Sequence, residues 1–103
     1  AIAFAREDGA SALRLDIAHG KAGAAIGMGS NSRALAVRAK DLPAFFSTIA
    51  SNAQHPFIPQ TGALLIANAQ GTIVGAVGAS GGTGDEDEEI VMAGIAAAGL
   101  QHI

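Results

Sequence analysis

The segment VGAVGASGGTGDEDEE, Val74 to Glu89, narrows the fold more than any other part of the chain. Ile73, Gly75 and Val77 alternate with Val74, Ala76 and Gly78, and both sets are apolar or small. A strand of that kind expects cover on both faces. The strand runs into Gly81, Gly82 and Gly84, and five consecutive acids, Asp85 to Glu89, follow. Thr83 and Glu86 stand at capping-box spacing, so the acids open a helix predicted from about Asp85 to Leu100. Acids in a first turn complement the helix dipole, each by roughly 0.3–1 kcal/mol. Strand, glycine turn and helix in that order call for a helix packed on a sheet.

Just upstream, ALLIAN and TIVGAVGAS flank AQG, and Gly71 supplies the positive φ that a tight hairpin requires. Ser11 is placed to cap a helix through SALRLDIAHGKAGAAIGM, in which Leu13, Ile17, Ala24 and Met28 keep helical spacing. Gly20, Gly23 and Gly27 each cost that helix roughly 1 kcal/mol against Ala, so a close neighbour is expected. GSNS breaks the chain and starts a short helix through RALAVRAK. Asp41 is the expected cap of a third helix, DLPAFFSTIASNA, with Pro43 in its first turn and Phe45, Phe46 and Ile49 on its buried side. QHPFIPQTG is a loop, and Ile2–Glu7 reads as a strand ending at the turn EDG.

The layout is β, helices, β-hairpin, helix. It describes one α+β domain over residues 1–103, with helices packed on an antiparallel sheet. Three strands make that sheet thin. A further strand beside Ile2–Glu7, from a preceding segment or another subunit, would complete it and cover an apolar edge.

Composition excludes several partners. No apolar run reaches the roughly 18–20 residues of a membrane span, and the absence of cysteine rules out disulfides and thiolate metal sites. The net charge is −3, yet outside the acid run six bases oppose four acids. Those bases are scattered: Arg6, Arg14, Lys21, Arg33, Arg38 and Lys40. With no basic stripe and no Tyr or Trp for stacking, a nucleic-acid partner is set aside. A soluble protein is expected, cytoplasmic, or secreted if a signal segment precedes residue 1.

Candidate site residues gather at the glycine–acid junction and on the first long helix. Gly81 and Gly82 lead into free helix N–H groups, as in a phosphate loop, but the loop has no lysine and the acids would repel phosphate. The acids form a solvated cap, or Asp87, four residues before Val91, turns inward to a pocket. His19 follows Asp16 by three residues, and Gly20 and Gly23 would leave room beside its imidazole for a flat ligand; the alternative is a surface histidine near Asp16. His55 lies in the proline loop and His102 at a terminus where fraying is expected. No two histidines stand at metal-site spacing. Arg14 and Lys21, seven apart on one helical side, are placed to meet a carboxylate or propionate, or remain solvated. Ser80 in GASGG suggests a nucleophile elbow, but no acid–base triad accompanies it, and a hydrolase is rejected.

GTIVGAVGASGGTGDEDEEIVMAGIAA, Gly71 to Ala97, resembles the signature of the GlcG/HbpS-like family, described as haem-binding or haem-degrading and related to the C-terminal domain of PduO-type cobalamin adenosyltransferases. AFAREDGAS and LDIAHGKAGAAIGM resemble that family's strand–turn–helix, including its Lys-Ala pair at Lys21–Ala22. The resemblance implies a profilin-like α/β/α arrangement around an antiparallel sheet, lacking here the usual N-terminal helix and strand. It also implies a homo-oligomer with haem as the ligand, bound, degraded or sensed. Gly81, Gly82, Lys21 and Asp87 match the shared pattern and are expected to line the pocket. His19 is the candidate iron ligand, and Lys21 or Arg14 the candidate partner of a propionate. The alternatives are a non-haem accessory module of a glycolate, propanediol or corrinoid catabolic operon, taking a small carboxylate or corrinoid at Gly81–Asp87, and an assembly subunit with no ligand.

Overall fold

The computed structural model describes residues 1–103. The elements follow in the order α1 (Ala12–Met28), α2 (Ser32–Asp41), α3 (Pro43–Asn52), β1 (Ala63–Ala67), β2 (Ile73–Gly78), α4 (Gly84–Ala97) and β3 (Gln101–His102). The sheet is antiparallel, in the order β2-β1-β3. In β1 the uninterrupted apolar run ALLIA forms the central strand, and all of it but Ile66 is buried. The hairpin turns through Gly71 at φ 81 and carries an irregularity between Ile66 and Ala67.

Alternation along β1 builds three layers, because successive side chains point to opposite faces of a strand. Ala63 and Leu65 pack with Ala25 of α1 and with Ala76. Leu64 and Ile66 pack with Val91 and Ile95 of α4, and with Val77 and Ala79. The result is the expected α/β/α arrangement. A third cluster, Ala24, Leu35 and Phe46, joins α1 to α2 and α3. Close approach explains most of the glycines in and against α1. A side chain at Gly78 would collide with the Ala18 carbonyl, one at Gly20 with Ile58, and one at Gly23 with the Pro56 carbonyl. Gly27 differs, with nothing packed against it.

Several expectations are corrected. Ile2–Glu7 joins no ladder, and Ile2 and Phe4 stand 104% and 71% exposed. The third strand comes instead from the other end of the chain: β3 occupies the free side of β1, pairing Ile66 with His102 and Ala67 with Gln101. An extended segment without a partner has no ladder hydrogen bonds to hold it as a strand. The C-terminus is therefore tied down rather than frayed. Ile103 N–H donates to the Leu65 carbonyl at 3.3 Å, and the Asn31 side chain both donates to the Ile103 carbonyl and accepts from Leu65 N–H. The helix expected to reach Leu100 stops at Ala97, where Gly99 at φ 75 turns the chain toward β3. Two-sided cover of β2 holds only near its end. Ala76 and Val77 meet the helical layers, whereas Ile73 and Val74 at the hairpin end are 41% and 56% exposed. Asp41 closes α2, leaving Leu42 to cap α3 ahead of Pro43, and the Ser11 hydroxyl makes no cap bond.

Candidate ligand-binding site

The acid that turns inward is Asp87, 2% exposed, and it meets Lys21, 6% exposed. Lys21 Nζ donates to Asp87 Oδ2 at 3.0 Å and to the Ala79 carbonyl at 3.1 Å. Asp87 Oδ1 accepts the Gly82 N–H at 2.9 Å. The pair thus joins α1 to α4 and straps both ends of the loop 79–82. A buried charge is costly unless paired and hydrogen-bonded, and here both conditions are met. Gly62 makes room for it: its φ is +135, and a Cβ there would lie 2.7 Å from Lys21 Nζ.

The other acids have separate employment. Arg33 of α2 donates to both Glu88 oxygens and to Asp85. Those hydrogen bonds, Glu88 first and then Asp85, hold the Arg33 guanidinium still further above its ordinary pKa. Glu86 completes the capping box, accepting Thr83 N–H at 2.8 Å while Glu86 N–H donates to Thr83 Oγ1 at 3.1 Å. Only Glu89 lacks a partner, so the acid run is mostly a structural device.

Two cavities flank this junction. A polar cleft of about 380 Å³ is lined by Lys21, Gln60, Thr61, Thr83, Gly84 and Asp85. An apolar groove, also of about 380 Å³, lies between the sheet and α4, walled by Ile66, Val77, Ala79, Ile90, Val91, Ile95, Ala98 and Leu100, with Gly78 and Gly94. Both fall at the small end of the roughly 300–1,000 Å³ typical of ligand pockets.

Of the residues singled out in the sequence, Lys21, Gly82 and Asp87 come together, and Gly81 turns the same loop at φ +151. Arg14 Nη1 donates to Ser80 Oγ at 3.2 Å, and this exposed guanidinium, free of acidic partners, lines neither cavity. GASGG does satisfy Gly-x-Ser-x-Gly, yet Ser80 faces an arginine rather than a histidine. His19 is half-buried on α1 and lines neither cavity. The space that Gly20 and Gly23 open next to it is filled by Ile58 and Pro56.

His102 lies in β3 rather than at a frayed end, and it lines neither cavity. Its register partner is Ile66, a wall of the groove, and directly opposed residues share a face of the sheet. Leu100, two residues earlier, is also a groove wall.

Together these features define a class: a three-layer α/β/α domain whose glycine loop is locked by a buried ion pair between a polar cleft and an apolar groove. Residues 1–96 match the family model described as haem degrading protein HbpS-like, and the chain belongs to the HbpS-like family. No curated protein gives a significant match. Haem is the group that this family description implies, and the groove walls suit its hydrocarbon face but include no donor for its iron and no cation for its carboxylates. The groove offers carbon to the macrocycle, and His102, though not among its walls, shares a face of the sheet with Ile66. Lys21 does not serve a propionate, because Asp87 already holds its charge. No three His, Asp or Glu side chains assemble into a separate metal site.

Proposed function

We propose that this chain is a small haem-binding protein acting as a homo-oligomer, with the porphyrin held in the groove between α4 and the sheet. The observation that carries the reading is that groove, apolar on every wall, in a member of the HbpS-like family. Ile66, Ile90, Ile95 and Leu100 exclude water from the macrocycle, whose site reaches Ala79 of the loop 79–82. The Lys21–Asp87 pair holds that loop in place. When bound, haem supplies the redox and oxygen chemistry that degradation requires.

A hemin titration followed in the Soret region tests the proposal. The expected result is a saturable stoichiometric shift, strongly weakened in Ile90→Glu, which puts a charge into the groove at a residue 63% exposed and so tolerant of change. A non-saturable change, equal in both proteins, would count against the groove. His19→Ala, run alongside, is expected to bind as the unaltered chain does.

The polar cleft favours a second reading, a small polar ligand beside Lys21. Thermal shifts with small hydroxy acids and with cobalamins discriminate it, since a ligand present at 100 times its Kd adds about 2.7 kcal/mol to stability.

A further inference from the structure

We infer that the polar cleft binds a small neutral polyol, a short carbon skeleton with hydroxyls on neighbouring carbons. The inference rests on the second reading above, a small polar ligand beside Lys21, and names its chemical class; it is independent of haem. The walls are Lys21, Gln60, Thr61, Thr83, Gly84 and Asp85, and none of them is hydrophobic. A ligand with a hydrocarbon face gains nothing there, whereas hydroxyls leaving water find polar partners.

The cleft gathers hydrogen-bonding groups that the fold leaves unused. Lys21, 6% exposed, has three N–H groups and gives one to Asp87 Oδ2 and one to the Ala79 carbonyl, so a third remains on a residue that walls the cleft. The Gly84 and Asp85 N–H groups, the first two of α4, meet no carbonyl of the chain. Thr83 Oγ1 accepts from Glu86 N–H and keeps its own hydrogen to donate. Acceptors stand beside these donors. Arg33 bonds Oδ1 of Asp85 and leaves Oδ2, while the Gln60 amide and the Thr61 hydroxyl each supply both kinds of group.

Charge decides against an anion. Lys21 and Arg33 are two bases set against three acids, Asp87, Asp85 and Glu88, in the ion pairs around the cleft, which leaves one negative charge in excess. A carboxylate or phosphate only accepts hydrogen bonds, and it would face both that charge and the remaining Asp85 oxygen. A cation would lie against the Lys21 ammonium. A neutral hydroxyl donates and accepts, so it meets the lysine and the amides on one side and the Asp85 carboxylate on the other.

The walls are in place before a ligand arrives. Gly84 packs so closely on Thr61 that a Cβ there would lie 2.8 Å from Thr61 Cβ, and one at Gly62 would lie 2.7 Å from Lys21 Nζ. Asp87 fixes the lysine head. A preformed site loses little conformational entropy on binding, which an uncharged ligand of few atoms requires.

The test follows the amide resonances of the full chain during titration with meso-erythritol and ribitol, with lactate and inorganic phosphate as the charged comparisons. Circular dichroism confirms that the variants Gln60→Ala, Thr61→Val and Asp85→Asn are folded. The expected result is a saturable shift from the polyols centred on the Gly84 and Asp85 amides, with affinity lowered about fivefold in Thr61→Val and in Gln60→Ala, the worth of one hydrogen bond. Lactate and phosphate are expected to bind about fivefold more weakly than the polyols, and Asp85→Asn to narrow that gap. Tighter binding of lactate or phosphate at the same amides overturns the polyol class and leaves the small-ligand reading standing. Polyol shifts that never saturate, or that are equal in the unaltered chain and both wall variants, overturn the assignment of the ligand to this cleft. If none of the probes moves these amides, the small-ligand reading fails and the polyol class goes with it.

Discussion

Lys21 and Asp87 are the two charges in the molecule that give up nearly all contact with water, and every other charged side chain keeps some. Breaking such a pair leaves an uncompensated buried charge, which costs about 3–5 kcal/mol, whereas removing both charges costs far less. Lys21→Met is therefore expected to lose stability on that scale in urea unfolding, and the double variant Lys21→Met, Asp87→Leu to recover most of it. A single variant within about 1 kcal/mol of the unaltered protein would refute the argument. Gly62 belongs to the same unit. Gly62→Ala forces a side chain into a left-handed conformation against the lysine head, and the expected loss is about 1–3 kcal/mol by the same measurement.

At the scale of elements, α4 depends on a reciprocal cap at its start. Thr83→Ala removes the acceptor for Glu86 N–H and is expected to cost about 1 kcal/mol, while Thr83→Ser, which keeps an acceptor, should be near neutral. Thermal unfolding of the two variants checks this. The cap was legible in the sequence because it lies within four residues, and so were the four helices and the hairpin, whose periodicity and turn residues are local. What escaped was the pairing. Ile2–Glu7 has the composition of a strand, but a strand exists only with a partner, and this segment pairs with none of β1, β2 and β3. β3 spans two residues, too few for any alternation to declare it. Lys21 and Asp87 were each marked as candidates, yet nothing local connects residues 66 positions apart.

For the whole molecule, only 15 of 103 residues are buried, so the core is thin for its length. The outer edge of β2 carries exposed Ile73 and Val74 with no strand beside it, and exposed apolar edges invite pairing. Sedimentation is expected to show an assembly for the unaltered chain and a smaller species for Val74→Lys; equal masses would place the interface elsewhere. The buried pair matters at this scale too. Apart from its acidic first turns, α4 is apolar or small nearly all round, from Ile90 to Ala98, so greasy contact alone gives it several comparable ways to lie on the sheet. Asp87 can reach Lys21 in only one of them, which makes the ion pair a key that sets the rotation of the helix about its own axis. The double variant without charges should accordingly keep its stability but lose uniqueness, with duplicated amide resonances along α4 where the unaltered protein shows one set.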